Sequence, residues 1–210
     1  MVRMPRSESR RPLVAWGAVL GGVVWSVHTL LLAVRPLGCV GAECFGTGRG
    51  HRESEDIAWI LLVAVALLTV AIASDLARRV ERGRRLRLAA LVLYGCGAAL
   101  LVVGLIVNRG SSTGAPLWWL HDSDTLGRLL PVLGTLAFGL GLLRAGADRV
   151  LAWAFVVAAL LGFAFNAQDW RALLSVPIGL VWIAFGLFLL ARPDAGVRGR
   201  GRRRPRRPHR

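Results

Sequence analysis

The chain has 210 residues, of which 55% are hydrophobic, and it carries a formal net charge of +15. All 27 of its Lys/Arg positions are arginines, and 25 residues are glycines. The apolar residues are gathered into long runs, which excludes an ordinary water-soluble domain and indicates a membrane protein. No catalytic or cofactor motif of recognised spacing occurs, so the composition defines the class of protein and leaves its activity open.

Six apolar runs divide the sequence, each close to the 17 to 25 residues that a helix needs to cross a hydrocarbon layer of about 30 Å. Helices are favoured in a bilayer because all backbone hydrogen bonds must be made inside the segment. The sequence therefore predicts an all-α polytopic membrane protein, a compact bundle of six transmembrane helices over residues 13–191. A basic tail (1–12) precedes the bundle and a disordered basic tail (192–210) follows it. The predicted spans are 13–34, 57–74, 86–107, 126–143, 150–165 and 172–191.

The arginines are divided unequally between the two sets of stretches that separate these runs. One set holds 21 of the 27, namely both tails and the connections at 75–87 and 144–149, and the remaining 6, counted with the other set, include Arg128 near the start of the fourth run. Positively charged stretches remain cytoplasmic. We therefore expect both termini in the cytoplasm of a bacterium, with the protein in its inner (plasma) membrane. The predicted outer loops are 35–56, 108–125 and 166–171.

The first run predicts an uncleaved span that contains an ionisable residue, His28. Its apolar stretch exceeds the roughly 7 to 15 residues of a signal-peptide core, and no small-x-small cleavage site follows before Arg35. Gly17 and Gly21 lie one turn apart, a spacing that lets another helix approach closely. His28 is ionisable, and such groups inside a span are candidates for function. The alternative is a neutral histidine hydrogen-bonded across a helix contact.

Further glycines indicate close helix contacts in the third and fourth spans. They are Gly95, Gly97, Gly134, Gly139 and Gly141.

The first outer loop contains two cysteines, Cys39 and Cys44. They face the oxidising side of the membrane in this topology, and only four residues separate them, so a disulfide between them is predicted. Cys96, inside the third span, is interpreted as a small packing residue.

Acidic and imidazole side chains collect on the outer face. A metal site built from His51, His121 and nearby acids is one hypothesis, since imidazole and carboxylate together suit zinc. The favoured alternative assigns Asp56, Asp124 and Asp169 to capping the spans that begin outside. We therefore predict no metal, no cofactor and no catalytic residue. The candidate functional residues are His28, His121, Asp122, Asp124 and Asp169.

Arginines of the connection between the second and third spans are expected to bind anionic lipid headgroups. The same holds for the Arg-, Gly- and Pro-rich tail, which contains too little apolar surface to fold. Membrane lipids are thus the predicted partners, together with a membrane-protein partner or a second copy of the chain, and binding to nucleic acid is disfavoured. The predicted lipid-binding residues are Arg78, Arg79, Arg82, Arg84, Arg85 and Arg87.

Several short patterns resemble a widespread family of six-span bacterial membrane proteins of unknown function. The points of likeness include Val103-Gly104-Leu105 at the end of the third span and Leu120-His121 before the fourth. Gly134 and Leu136 in the fourth span, Trp182 and Gly186 in the sixth, and the paired cysteines of the first outer loop are similar as well. The resemblance implies an architecture and no activity.

The sequence favours a non-enzymatic accessory, sensing or lipid-interacting component without deciding whether the protein is an enzyme. One alternative is a small transporter or proton- or cation-translocating protein that uses His28 with the outer carboxylates. The other is an enzyme of the outer face or the membrane interior.

Overall fold

The computed structural model describes residues 11–36, 57–77, 81–110, 118–167 and 169–191, and every regular element within these ranges is helical. The all-α prediction is therefore confirmed. A 3₁₀ segment, Trp170–Ser175, runs directly into the last helix. The helices are α1 (Arg11–Ala33), α2 (Ala58–Leu76), α3 (Arg84–Gly110), α4 (Trp118–Ala145), α5 (Arg149–Phe163) and α6 (Val176–Ala191).

Each of the six apolar runs forms a helix, and within the described ranges five of these helices are long and apolar enough to cross a membrane. The exception is α5, whose 15 residues extend about 22 Å at 1.5 Å per residue. Helix α4 begins at Trp118, about two turns before the predicted start of its span. The helix is therefore longer than its apolar stretch.

The connection between α4 and α5 is a tight turn with two local determinants. Gly146 adopts a φ of 71°, a left-handed conformation that glycine adopts without steric cost. Asp148 then caps α5, since its carboxylate accepts hydrogen bonds from the backbone N–H groups of Val150 (3.1 Å) and Leu151 (3.2 Å). This turn places α4 and α5 side by side.

The helices are arranged as a ring in which each packs against its neighbours in sequence, and α6 packs against α1 to close the ring. Large apolar side chains cover much of the outside, for example Trp16, Val70, Val92, Trp153 and Leu180. Cys96 is also exposed, so its interpretation as a packing residue is wrong. An apolar exterior of this kind suits contact with lipid.

The centre of the ring is built around Trp182 of α6. Its indole packs against the rings of Phe138 and Phe155, with centroids 4.8 and 4.9 Å away. Its Nε1–H donates to the hydroxyl of Tyr94 (3.0 Å), which lies 2.7 Å from the hydroxyl of Thr135. Because Thr135 donates to the carbonyl oxygen of Pro131 (2.9 Å), a continuous hydrogen-bond chain connects α6, α3 and α4.

Helices α1 and α6 approach to backbone contact at Gly22 and Gly179. A Cβ added to Gly179 would meet the hydroxyl of Ser26 and would lie 2.5 Å from the carbonyl oxygen of Gly22. Only glycines permit such an approach. Further along α6, Gly186 lies against Ala15 and Val19 of α1, so the two helices run antiparallel.

The predicted glycine contacts are confirmed except at one position. Gly17 and Gly21 pack on α2, where a Cβ at Gly21 would lie 2.7 Å from the side chain of Leu68. Gly95 is the exception, since a Cβ there would have nothing within 4 Å. The residues with confirmed contacts in the third and fourth spans are Gly97, Gly134, Gly139 and Gly141.

A glycine in the α1–α6 contact and a glycine with open space beside it allow a matched test of this contact. Overpacking typically costs about 1–3 kcal/mol, so we expect Gly179→Ala to lower the melting temperature of the detergent-purified protein. Gly95→Ala, in an equally helical position with open space, should leave it unchanged or raise it slightly, because alanine favours helix. Equal melting temperatures for the two variants would contradict the close approach of α1 and α6.

Candidate ligand-binding pocket

A cavity of about 440 Å³ opens at one end of the ring. This end lies near the start of α2 and the end of α5, which is the outer side in the predicted topology. Its walls come from α1, α2, α4, the end of α5, the turn that follows α5, and the 3₁₀ segment. The polar lining residues are His28, Thr125, Arg128, Asn166 and Ser175, and the larger apolar ones are Trp25, Leu61, Leu129, Val132, Phe163 and Phe165. We call this cavity the His28 pocket.

Helix α1 contributes Trp25 and His28 to the pocket, because residues three apart lie on the same face of a helix. The indole of Trp25 donates to both the carbonyl oxygen (3.0 Å) and the hydroxyl (2.9 Å) of Ser175. This buried contact joins residues 150 positions apart in sequence. It fixes the 3₁₀ segment against α1 and thereby one wall of the pocket.

The imidazole of His28 is only 3% exposed, and its Nε2 has no hydrogen-bond partner within the described part of the chain. Buried polar atoms almost always have a partner, and an exception needs an explanation. The alternative of a histidine hydrogen-bonded across a helix contact does not account for this atom. His28 also lines the cavity, so the side chain with this unpartnered nitrogen forms part of the pocket wall.

Arg128 is the charged side chain among the described lining residues of the pocket, with 9% of its surface exposed. It lies on α4 beside Thr125 and Leu129. Arg128 was not among the predicted site residues. Its position inside the predicted fourth span could have indicated it, because a charged side chain is costly there.

The capping prediction is confirmed for Asp169. Its carboxylate caps the 3₁₀ segment by accepting from the backbone N–H of Arg171 (2.8 Å), and it also pairs with the Arg171 guanidinium at 2.7 Å. The side chain of Asp169 is not among the described lining residues of the His28 pocket.

The other outer-face predictions fall largely outside the described side chains. His121, Asp122 and Asp124 belong to the first turns of α4, and their side chains are not described. Since α4 begins at Trp118, Asp124 lies within the helix and does not precede it, so its predicted capping position is wrong. Asp56, His51, Cys39 and Cys44 lie outside the described residues, and so the disulfide remains a prediction.

The basic connection between α2 and α3 contains one arginine that differs from its neighbours. Arg87 is 3% exposed and binds the buried carboxylate of Asp75, Nη1 to Oδ2, at 2.9 Å. Because Arg87 is buried, a lipid headgroup cannot reach it, and the predicted lipid contact is wrong at this residue. The ion pair instead joins the end of α2 to the start of α3. Arg82, Arg84 and Arg85 are exposed, Arg78 and Arg79 lie outside the described residues, and lipid binding by these five stays a prediction.

Within the described ranges, no group of three or more His, Cys, Asp or Glu side chains could hold a metal ion. No protein-family model, curated protein or solved structure matches the chain. The resemblance to six-span bacterial proteins therefore stays a prediction from the sequence.

The buried ion pair makes a direct prediction about stability. Removing one partner of such a pair leaves an uncompensated charge and costs about 3–5 kcal/mol. We expect Asp75→Asn to lower the melting temperature strongly, whereas the double variant Asp75→Leu, Arg87→Met should recover much of that loss. An Asp75→Asn protein as stable as the wild type would show that the pair does not hold α2 to α3.

Proposed function

We propose that this chain is a six-span protein of the bacterial inner membrane, with both termini in the cytoplasm and the His28 pocket on the outer face. The arginine distribution supports the orientation. Trp59 and Trp170, both exposed near the pocket end, suit a membrane–water interface. The short α5 is included because its outward side chains, such as Trp153, Val157 and Leu160, are apolar and exposed.

We further propose that the protein is a non-enzymatic sensing, accessory or lipid-interacting component that binds a small ligand in this pocket. The observation that carries the proposal is the buried imidazole of His28, which lines the cavity and whose Nε2 has no protein partner in the described residues. Ligand sites are typically concave and mostly apolar, with a few placed polar groups and volumes of about 300–1,000 Å³. Binding is favoured over catalysis because no carboxylate that could orient His28 as a base occurs among the described lining residues.

A pocket-filling variant tests this function with a matched control. Leu129 lines the cavity, whereas Leu140 lies on the same helix with its side chain exposed. Ligand that binds only the folded state stabilises it by about 2.7 kcal/mol at 100 times its Kd. We therefore expect a lipid and metabolite extract of the native cells to raise the melting temperature of the wild type and of Leu140→Trp.

Leu129→Trp should lose this response while remaining folded. No stabilisation of the wild type by any extract fraction, or an equal response in Leu129→Trp, would contradict a ligand-binding function for the pocket.

A transporter is the second candidate, favoured by the irregular start of the sixth span. This span begins as a 3₁₀ segment that lines the His28 pocket at Ser175, and backbone that departs from α-helical geometry lines substrate sites in transporters. One predicted carboxylate of the route, Asp169, is engaged by Arg171. This function predicts pH-dependent uptake in proteoliposomes that His28→Ala alters, and unchanged flux would remove it.

A further inference from the structure

We propose that the His28 pocket recognises a phosphate group, either on a lipid headgroup or as the free ion. This inference rests on the proposed ligand-binding function and names the chemistry of the ligand.

The first support is the charge that the pocket presents. A guanidinium is always protonated and offers five N–H donors in a planar fork that matches phosphate oxygens. Arg128 brings such a group into a largely buried site at the pocket wall. With five donors, it can contact an anion in addition to bonds made within the protein.

The second support is the set of uncharged groups around Arg128. The Nε2 of His28 lacks a protein partner among the described residues and can carry the N–H that an anion accepts from. Asn166 and Thr125 also line the cavity, and an amide and a hydroxyl both donate hydrogen bonds. No carboxylate occurs among the described lining residues. Such a donor-rich lining favours an anion over a cation.

The third support is the position of the pocket and its apolar wall. Leu61, Leu129 and Val132 provide a surface that an acyl or glycerol portion can contact. The cavity lies at the end of the bundle, about one turn below the end of α1 and beside the start of the apolar stretch of α4. In the proposed topology this is the depth of the outer leaflet headgroups, so lipid phosphate and free phosphate can both arrive there.

Three probes distinguish binding through the phosphate from binding through the apolar part of a lipid. We would titrate the full chain, purified in a nonionic detergent, with dihexanoyl phosphatidic acid, with dihexanoylglycerol and with inorganic phosphate. The first two differ only in the phosphate, and a hydrogen bond to a charged group contributes about one to two factors of ten in affinity. We expect dihexanoyl phosphatidic acid to bind at least tenfold more tightly than dihexanoylglycerol.

Inorganic phosphate identifies the source of the ligand. Weak binding of the ion beside tight binding of phosphatidic acid assigns the pocket to a lipid headgroup, and equal affinities assign it to free phosphate. Both results support phosphate recognition. Equal binding of dihexanoylglycerol and phosphatidic acid, or no binding of either phosphate probe, would overturn it, and these comparisons need only the wild-type protein.

A variant that removes the positive charge of Arg128 then locates the site. Arg128→Gln should weaken phosphatidic acid binding at least tenfold, whereas Arg149→Gln, at an exposed position at the start of α5, should not change it. An unchanged affinity in folded Arg128→Gln would overturn the assignment. The failure of the proposed function is distinguishable, because it would appear as no extract response in the wild type or as an equal response in Leu129→Trp, whatever the chemistry of the ligand.

Discussion

A polar group inside a hydrocarbon layer has no water to bind, so it must find its partner within the protein. This constraint connects the buried polar contacts of the bundle. The indole of Trp25 binds the 3₁₀ segment at Ser175, and Arg87 binds Asp75 between α2 and α3. The chain from Trp182 through Tyr94 to Thr135 links α6, α3 and α4. Apolar packing fills the ring, and these few hydrogen bonds specify which helices meet and at what depth.

His28 departs from this pattern, and the departure has a structural setting. Helix α5 ends at Phe163 after 15 residues, whereas α4 before it has 28. The chain then turns, and the sixth span begins as a 3₁₀ segment fixed by Trp25. Space that a full-length helix would fill at this end of the ring is thereby left to the pocket, next to an imidazole whose Nε2 lacks a protein partner in the described residues. The features that weaken regular helix packing at this end are therefore the ones that form the candidate site.

The helices were predictable because hydrophobic runs of sufficient length have few alternatives in a bilayer. His28 could also be selected from the sequence, since an ionisable residue in the middle of an apolar run is conspicuous. Close contacts at Gly21 and Gly134 followed from small-residue spacing, but Gly95 has the same local character and contacts nothing. Which glycines meet another helix depends on the rotation of each helix, and a single sequence does not contain that information in readable form.

The partners of the polar residues were beyond sequence reasoning for a related physical reason. Trp25 and Ser175 lie on the first and last segments, and their contact exists only because the ring closes. Arg87 looks like its exposed neighbours in sequence, and its burial depends on Asp75 lying across from it on α2. Arg128 was overlooked because it was grouped with the outer-face charges, although its place within an apolar run marked it as costly.

The claim on which these interpretations depend is that α5 crosses the membrane, which gives six spans and an outward-facing pocket. Single cysteines at Ala167 and Arg149, on either side of α5, test it directly when Cys39, Cys44 and Cys96 are replaced by serine. A membrane-impermeant maleimide added to intact cells should label Ala167→Cys at once and Arg149→Cys only after permeabilisation. Labelling of both from the same side, or in the opposite order, would contradict the six-span arrangement and its orientation.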